Sequence, residues 1–178
     1  MLSSTAFSVA LAFLITLAPR AIEAPLTQQQ GSREIDALGG MAACDNRLPG
    51  RPVTLLALWG RRYSDKAIAK YVSLYPTVTQ LQLGDTMVTG KGLKCLARLI
   101  SLKELVIWHD RSFAKMTDEG IAFIESNKTL THVIMRGYRI TDRALKRLRK
   151  NRPDLRFTIL NPQFEFDIPN YTFQDPLK

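Results

Sequence analysis

A short phrase occurs four times in this chain, and its spacing constrains the fold more than any single residue does. It runs from an apolar residue to a hydroxyl, then in three of the four copies an acid, then one variable residue, a small residue and an aliphatic one. The copies are Tyr63-Ser64-Asp65-Lys66-Ala67-Ile68, Val88-Thr89-Gly90-Lys91-Gly92-Leu93, Met116-Thr117-Asp118-Glu119-Gly120-Ile121 and Ile140-Thr141-Asp142-Arg143-Ala144-Leu145. Short apolar runs lie between them at residues 53–58, 78–83, 102–107, 130–135 and 155–160. Aligned on Leu56, Leu81, Leu105, Val133 and Thr158, the runs are spaced 25, 24, 28 and 25 residues apart. A unit that recurs at roughly 20–50 residues cannot bury its apolar face alone and must stack on its neighbours, which predicts a solenoid.

Within each unit the pattern predicts one strand and one helix. Apolar residues hold the first, fourth and sixth places of each run, as in Val53/Leu56/Leu58, Val78/Leu81/Leu83, Leu102/Leu105/Ile107 and Leu130/Val133/Met135. Leu155/Thr158/Leu160 departs from this, as a terminal unit often does. Ser64, Thr89, Thr117 and Thr141 stand where a side-chain oxygen can accept an orphan amide hydrogen at a helix start. Asp65, Asp118 and Asp142 follow them at the positive end of the helix dipole. Ile68/Tyr71, Leu93/Leu96, Ile121/Ile124 and Leu145/Leu148 give each helix an inward stripe. Ala67, Gly92, Gly120 and Ala144 are small, which predicts close approach of packed layers. These residues read as caps and spacers rather than catalytic acids or metal ligands. The longer third spacing is assigned to a surface loop at 108–115.

The pattern Leu-x-x-Leu-x-Leu followed by Thr-Asp-x-Gly-Leu-x-x-Leu resembles the leucine-rich repeat superfamily, of the ribonuclease-inhibitor-like and F-box-associated type. Leu102-Lys103-Glu104-Leu105-Val106-Ile107 with Thr117-Asp118-Glu119-Gly120-Ile121 and Val78-Thr79-Gln80-Leu81-Gln82-Leu83 with Thr89-Gly90-Lys91-Gly92-Leu93 are the best-fitting copies, and the resemblance covers residues 35–160. The lead-in Ile35-Asp36-Ala37-Leu38-Gly39-Gly40 is similar to that of exported leucine-rich-repeat proteins of planctomycete-like bacteria. The spacings fall within the roughly 20–29 residues of such repeats. The resemblance implies a short right-handed α/β solenoid, with a parallel sheet on the concave face and helices on the convex face. It implies protein–protein interaction as the role and carries over no catalytic residue.

Strand alternation then predicts which side chains face away from the core. The set is Leu55, Ala57, Trp59; Gln80, Gln82, Gly84; Glu104, Val106, Trp108; His132, Ile134, Arg136; and Phe157, Ile159, Asn161. Both tryptophans of the chain fall in one column of this face. Tryptophan is favoured at binding hot spots because it brings a large area with few rotamers to freeze. Trp59, Gln82, Val106, Trp108, His132, Ile134, Arg136 and Ile159 are therefore the partner-binding candidates. The alternative is self-coverage. The tail at 161–178 alternates Phe164, Phe166, Tyr171 and Phe173 with polar residues, and it could cap the last unit or pack back across the sheet. A second surface is basic: Arg143, Lys146, Arg147 and Lys150 crowd the last helix, a solvated outer face by default and a contact for an acidic surface or polyanion otherwise.

Composition bounds the remaining questions. The chain has 178 residues, one domain's worth, with a formal charge of +9. Its first 24 residues differ from the rest. Residues 6–18 are apolar and uncharged, the length of an export signal's core and too short for the roughly 20 residues that span a bilayer. Ala21 and Ala24 offer cleavage sites; an uncleaved tether and a buried N-terminal helix are the other readings. Residues 25–52 read as linker and N-terminal cap, with a linker at 26–33, a helix at 33–38 capped by Ser32 and ended by Gly39-Gly40, and a short strand at 41–43. Cys44 and Cys95 are one bridge or two isolated thiols.

No phosphate loop, nucleophile elbow or metal-ligand spacing is present in the sequence, and His109-Asp110 is the only suggestive catalytic pair. The expectation is a non-catalytic, monomeric protein without cofactor that binds an unidentified protein after export to a secreted or periplasmic location. The other reading is an intracellular or membrane-tethered adaptor, for example a substrate-recognition or assembly factor. Nucleic acid is not an expected partner, and a membrane is one only if the N-terminal segment stays attached.

Overall fold

The computed structural model describes residues 26–109, 116–136 and 139–160. Among these residues the chain forms a mixed α/β fold on one open six-stranded sheet. The strands are β1 (Met41–Cys44), β2 (Val53–Trp59), β3 (Gln80–Gly84), β4 (Glu104–Trp108), β5 (His132–Arg136) and β6 (Arg156–Ile159). They lie side by side in sequence order. β1 runs antiparallel to β2, and every later neighbour is parallel. The helices are α1 (Gln28–Ala37), α2 (Asp65–Leu74), a 3₁₀ helix (Lys91–Arg98), α3 (Asp118–Ser126) and α4 (Asp142–Asn151).

The inward leucines and the helix stripes meet in one core. Leu56, Leu58, Leu81, Leu83, Leu105, Ile107, Val133 and Met135 from the strands pack with Ile68, Leu93, Leu96, Ile121, Ile124 and Leu148 from the helices. β3, β4 and β5 alternate buried with half-open positions, so one sheet face lies under the helices and the other is open. The ladders begin later than the apolar runs. Val78, Leu102 and Leu130 are fully buried but sit in the turns before β3, β4 and β5.

The acid and hydroxyl of the phrase have a job beyond capping. Asp65 accepts hydrogen bonds from the backbone N–H and the hydroxyl of Thr89, both at 2.7 Å. Asp118 does the same with Thr141 at 2.8 Å. The acid of one copy thus holds the threonine of the next, and both bonds are charge-assisted. Thr141 and Ser64 also cap their helices, accepting from Ala144 and Ala67. Thr89 and Thr117 do not cap as expected. The 3₁₀ helix is capped by Gly90, and Thr117 makes no side-chain cap bond. The copy without an acid has Gly90 in that place, so Thr117 has no carboxylate to meet. Instead the backbones close up: a Cβ on Gly90 would stand 2.8 Å from the Gly120 nitrogen. Gly92 is small for a related reason, because the Asp65 carboxylate fills the space a Cβ would take.

Two expectations are corrected at the ends. Residues 26–33 are not a linker, and Ser32 is no cap. Thr27 caps α1 in a reciprocal capping box with Gln30, and the helix starts at Gln28. Three tyrosines pin α1 in place: Tyr63 Oη donates to the Ile35 carbonyl, Tyr75 Oη to the Gln28 carbonyl, and Tyr71 Oη to Glu34. Gly39, at φ +82°, then turns the chain into β1, which starts at Met41 as expected.

At the other end, β6 is one residue out of the expected register. Val133 pairs with Phe157 and Met135 with Ile159, so Thr158 faces away from the core and Ile159 towards it. The cause is a turn of four residues (152–155) after α4 where α2, the 3₁₀ helix and α3 are each followed by five (75–79, 99–103 and 127–131). Arg152 holds this shorter turn. The residue is 3% exposed, and its guanidinium donates to the carbonyls of Asn127 and Leu130 and to Asp154. Cys44 and Cys95 are free thiols, the first exposed and the second buried. The expected signal at 1–24, the loop residues 110–115 and the tail at 161–178 lie outside the described residues.

Candidate functional site on the open sheet face

Register sets three columns across the open face. The first runs Leu55, Gln80, Glu104, His132, Arg156, and the second runs Ala57, Gln82, Val106, Ile134, Thr158. The third runs Trp59, Gly84, Trp108, Arg136. Met41 and Ala43 of β1 extend the face beside Ala57 and Leu55.

The two tryptophans come together over the strand between them. A Cβ added to Gly84 would fall 2.7 Å from Trp59 Cδ1 and 2.9 Å from Trp108 Cε2, so both indoles lie over the glycine. Any other residue at 84 would push them apart. Trp59 is half-buried and Trp108 is 41% exposed, a large apolar surface turned to solvent. The end of β4 is held from both sides, since the Asp85 N–H donates to the Trp108 carbonyl and the His109 N–H to the Arg136 carbonyl.

The first column is polar and internally bonded. Gln80 Nε2 donates to Glu104 Oε1 at 2.7 Å, and His132 Nδ1 stands 3.6 Å from Glu104 Oε2. The middle column is mainly apolar, with half-buried Val106 and Ile134 beside Gln82. The face therefore presents an aromatic edge, an apolar centre and a polar edge carrying one carboxylate.

Seven of the eight candidate residues share this face: Trp59, Gln82, Val106, Trp108, His132, Ile134 and Arg136. Ile159 does not, because the shift of β6 turns it towards the core. Thr158 and Arg156 take its place, and alternation of Leu155, Phe157 and Ile159 was the signal for it. Gln80 and Glu104 lie on the expected face, but no pattern marks them as a bonded pair. Arg143, Lys146, Arg147 and Lys150 are exposed on α4, and Arg147 pairs with Glu125 at 3.2 Å.

His109 is 3% exposed, and neither ring nitrogen has a hydrogen-bond partner. Burial pushes its pKa below the ordinary imidazole value, against a smaller opposing pull from Asp85. Burial thus favours the neutral form of the ring, and Asp110 lies outside the described residues. Among the described residues no group of three or more His, Cys, Asp or Glu is placed to hold a metal ion. No helix among them is long and apolar enough to cross a membrane. Comparison with protein-family models and with characterised proteins finds no match for this chain.

Proposed function

We propose that the protein is a short solenoid of leucine-rich-repeat type, with the parallel sheet lining its concave side, and that it acts without catalysis by binding a protein partner across that sheet. The observation that carries this reading is the pair of indoles gathered over Gly84 with Trp108 left 41% exposed. Gly84 is small at the cost of strand stability, since a glycine in a strand gives up packing and entropy. What the fold gains is a broad aromatic surface beside Arg136, a combination enriched at interface hot spots. The sequential parallel strands and the acid-to-threonine bonds between successive copies support the solenoid reading. The apolar segment at 6–18 with small residues at 21 and 24 supports export to a secreted or periplasmic location, with the N-terminal tether as the alternative.

Trp108→Ala tests the binding role, because Trp108 is the more exposed indole and has the least to do with the core. The partner captured from the native compartment by the wild-type chain should be lost with this variant, while the melting temperature moves by no more than about 2–4 °C. Undiminished capture would remove the face from the interaction. A collapse in stability would make the indole part of the fold.

A further inference from the structure

We infer that α4 carries a second binding site, separate from the open sheet face, for a linear sulfated polysaccharide lying along the helix. Residues 139–156 hold eight of the chain's 25 Lys and Arg and two of its 16 Asp and Glu, which is +6 of the total +9. Arg143, Lys146, Arg147 and Lys150 fall at i, i+3, i+4 and i+7, so they form one stripe along the helix. At 1.5 Å per residue the stripe is about 10 Å long. All four are exposed. Arg147 shares its charge with Glu125 of α3, and among the described residues no ion pair engages the other three.

Much of the stripe works against the helix that bears it. Like charges at i, i+3 and i, i+4 repel, and Arg143 stands in the first turn, where the helix dipole favours an acid. Asp142 alone answers it there. Lys150, in the last turn, is the member the dipole favours. Nothing in the core requires these charges, since α4 buries Ala144, Leu145 and Leu148 on its other side. A solvated face would be served as well by mixed signs, as on α2, which carries Asp65 with Lys66 and Lys70.

The neighbours narrow the partner. α3 turns carboxylates towards α4, with Glu125 on Arg147 and Asn151, and Asp118 on Thr141. A flat anionic membrane laid on α4 would meet those acids too, and α4 has no outward apolar residue to insert. A narrow polymer running along the helix axis meets fewer of them, Glu125 beside Arg147 being the one at the stripe. Single-stranded nucleic acid is held by basic residues interleaved with aromatic ones on which bases stack. No aromatic residue lies in Asp142–Asn151. A polymer with regularly spaced anions and no bases fits this surface, and the guanidinium forks of Arg143 and Arg147 match the oxygens of a sulfate group.

The test uses heparin as the probe and the full chain, with affinity measured at two salt concentrations. In the triple variant Arg143→Gln, Lys146→Gln, Lys150→Gln, heparin affinity should fall roughly tenfold or more, with a shallower salt dependence. The control Lys66→Gln, Lys91→Gln, Lys94→Gln removes the same charge from α2 and the 3₁₀ helix and should stay within about threefold of wild type. The α4 variant should melt within about 2–4 °C of wild type, since relief of repulsion offsets the lost dipole interaction of Lys150. Equal loss in the two variants would reduce the effect to net charge and overturn the site. Unchanged affinity in the α4 variant, a marked fall in its melting temperature, or binding of single-stranded RNA or phosphatidylserine vesicles as tight as that of heparin would also overturn it.

Discussion

A glycine at position 84 lets two indoles from neighbouring strands share one patch, and the consequence can be measured. Gly84→Ala puts a methyl where Trp59 and Trp108 meet. Indoles are rigid, so overpacking of this kind costs about 1–3 kcal/mol. Trp59 and Trp108 are the chain's two tryptophans, so their emission spectrum reports the displacement without labels. We expect an emission shift with a lower midpoint in urea; an unchanged spectrum would mean the indoles do not depend on Gly84. His109 makes the second prediction at this scale. Burial holds its folded pKa below the ordinary 6.5, while the unfolded chain takes up the proton near that value. The unfolded state therefore binds more protons as pH falls below 6.5. Stability from this residue is complete above that pH and is lost as pH drops towards the folded pKa. His109→Leu, which leaves no unpaired ring nitrogens in the core, should flatten the decline in urea midpoint between about pH 7.5 and 5. An equal decline in both proteins would place the pH dependence elsewhere.

Among the elements, the bond from Asp65 to Thr89 and its counterpart from Asp118 to Thr141 join successive copies of the phrase. Asp65→Ala should cost about 1.5–3 kcal/mol, the range for hydrogen bonds to a charged group. Thr89→Val in that background should cost much less than it does alone. A double-mutant cycle with no coupling would mean the contact contributes nothing. The elements themselves were largely legible, because burial obeys periodicity: period two placed the strand faces, and the stripes Ile68/Tyr71 and Ile121/Ile124 placed the helices. Three features were not legible. α1 reads as polar, with Gln28-Gln29-Gln30, and is fixed by hydroxyls of Tyr63, Tyr71 and Tyr75 some 28 to 47 residues away. The register of β6 depends on a one-residue difference in turn length. The Asp–Thr bridges cross from one unit to the next, whereas capping rules look only along one helix. The tryptophan pair was legible as a column, but its convergence over Gly84 needed the packing of three strands at once.

For the whole molecule, the fold separates two surfaces: an open sheet face of mixed polarity and a basic helix at its far end. The first is mostly uncharged along its centre, in keeping with the proposed protein partner; the second is nearly all positive, in keeping with the proposed polyanion. The two are expected to bind independently, so that neutralising α4 leaves capture through Trp108 intact. The most direct test of binding across the sheet is site-specific photo-crosslinking in cells that produce the chain. A photoreactive residue at Val106, in the centre of the open face, should trap one discrete partner. The same residue at Ala122 on the exposed side of α3 should trap none of it. Crosslinking to that partner from position 122 but not from 106 would contradict the assignment of the sheet as the binding face.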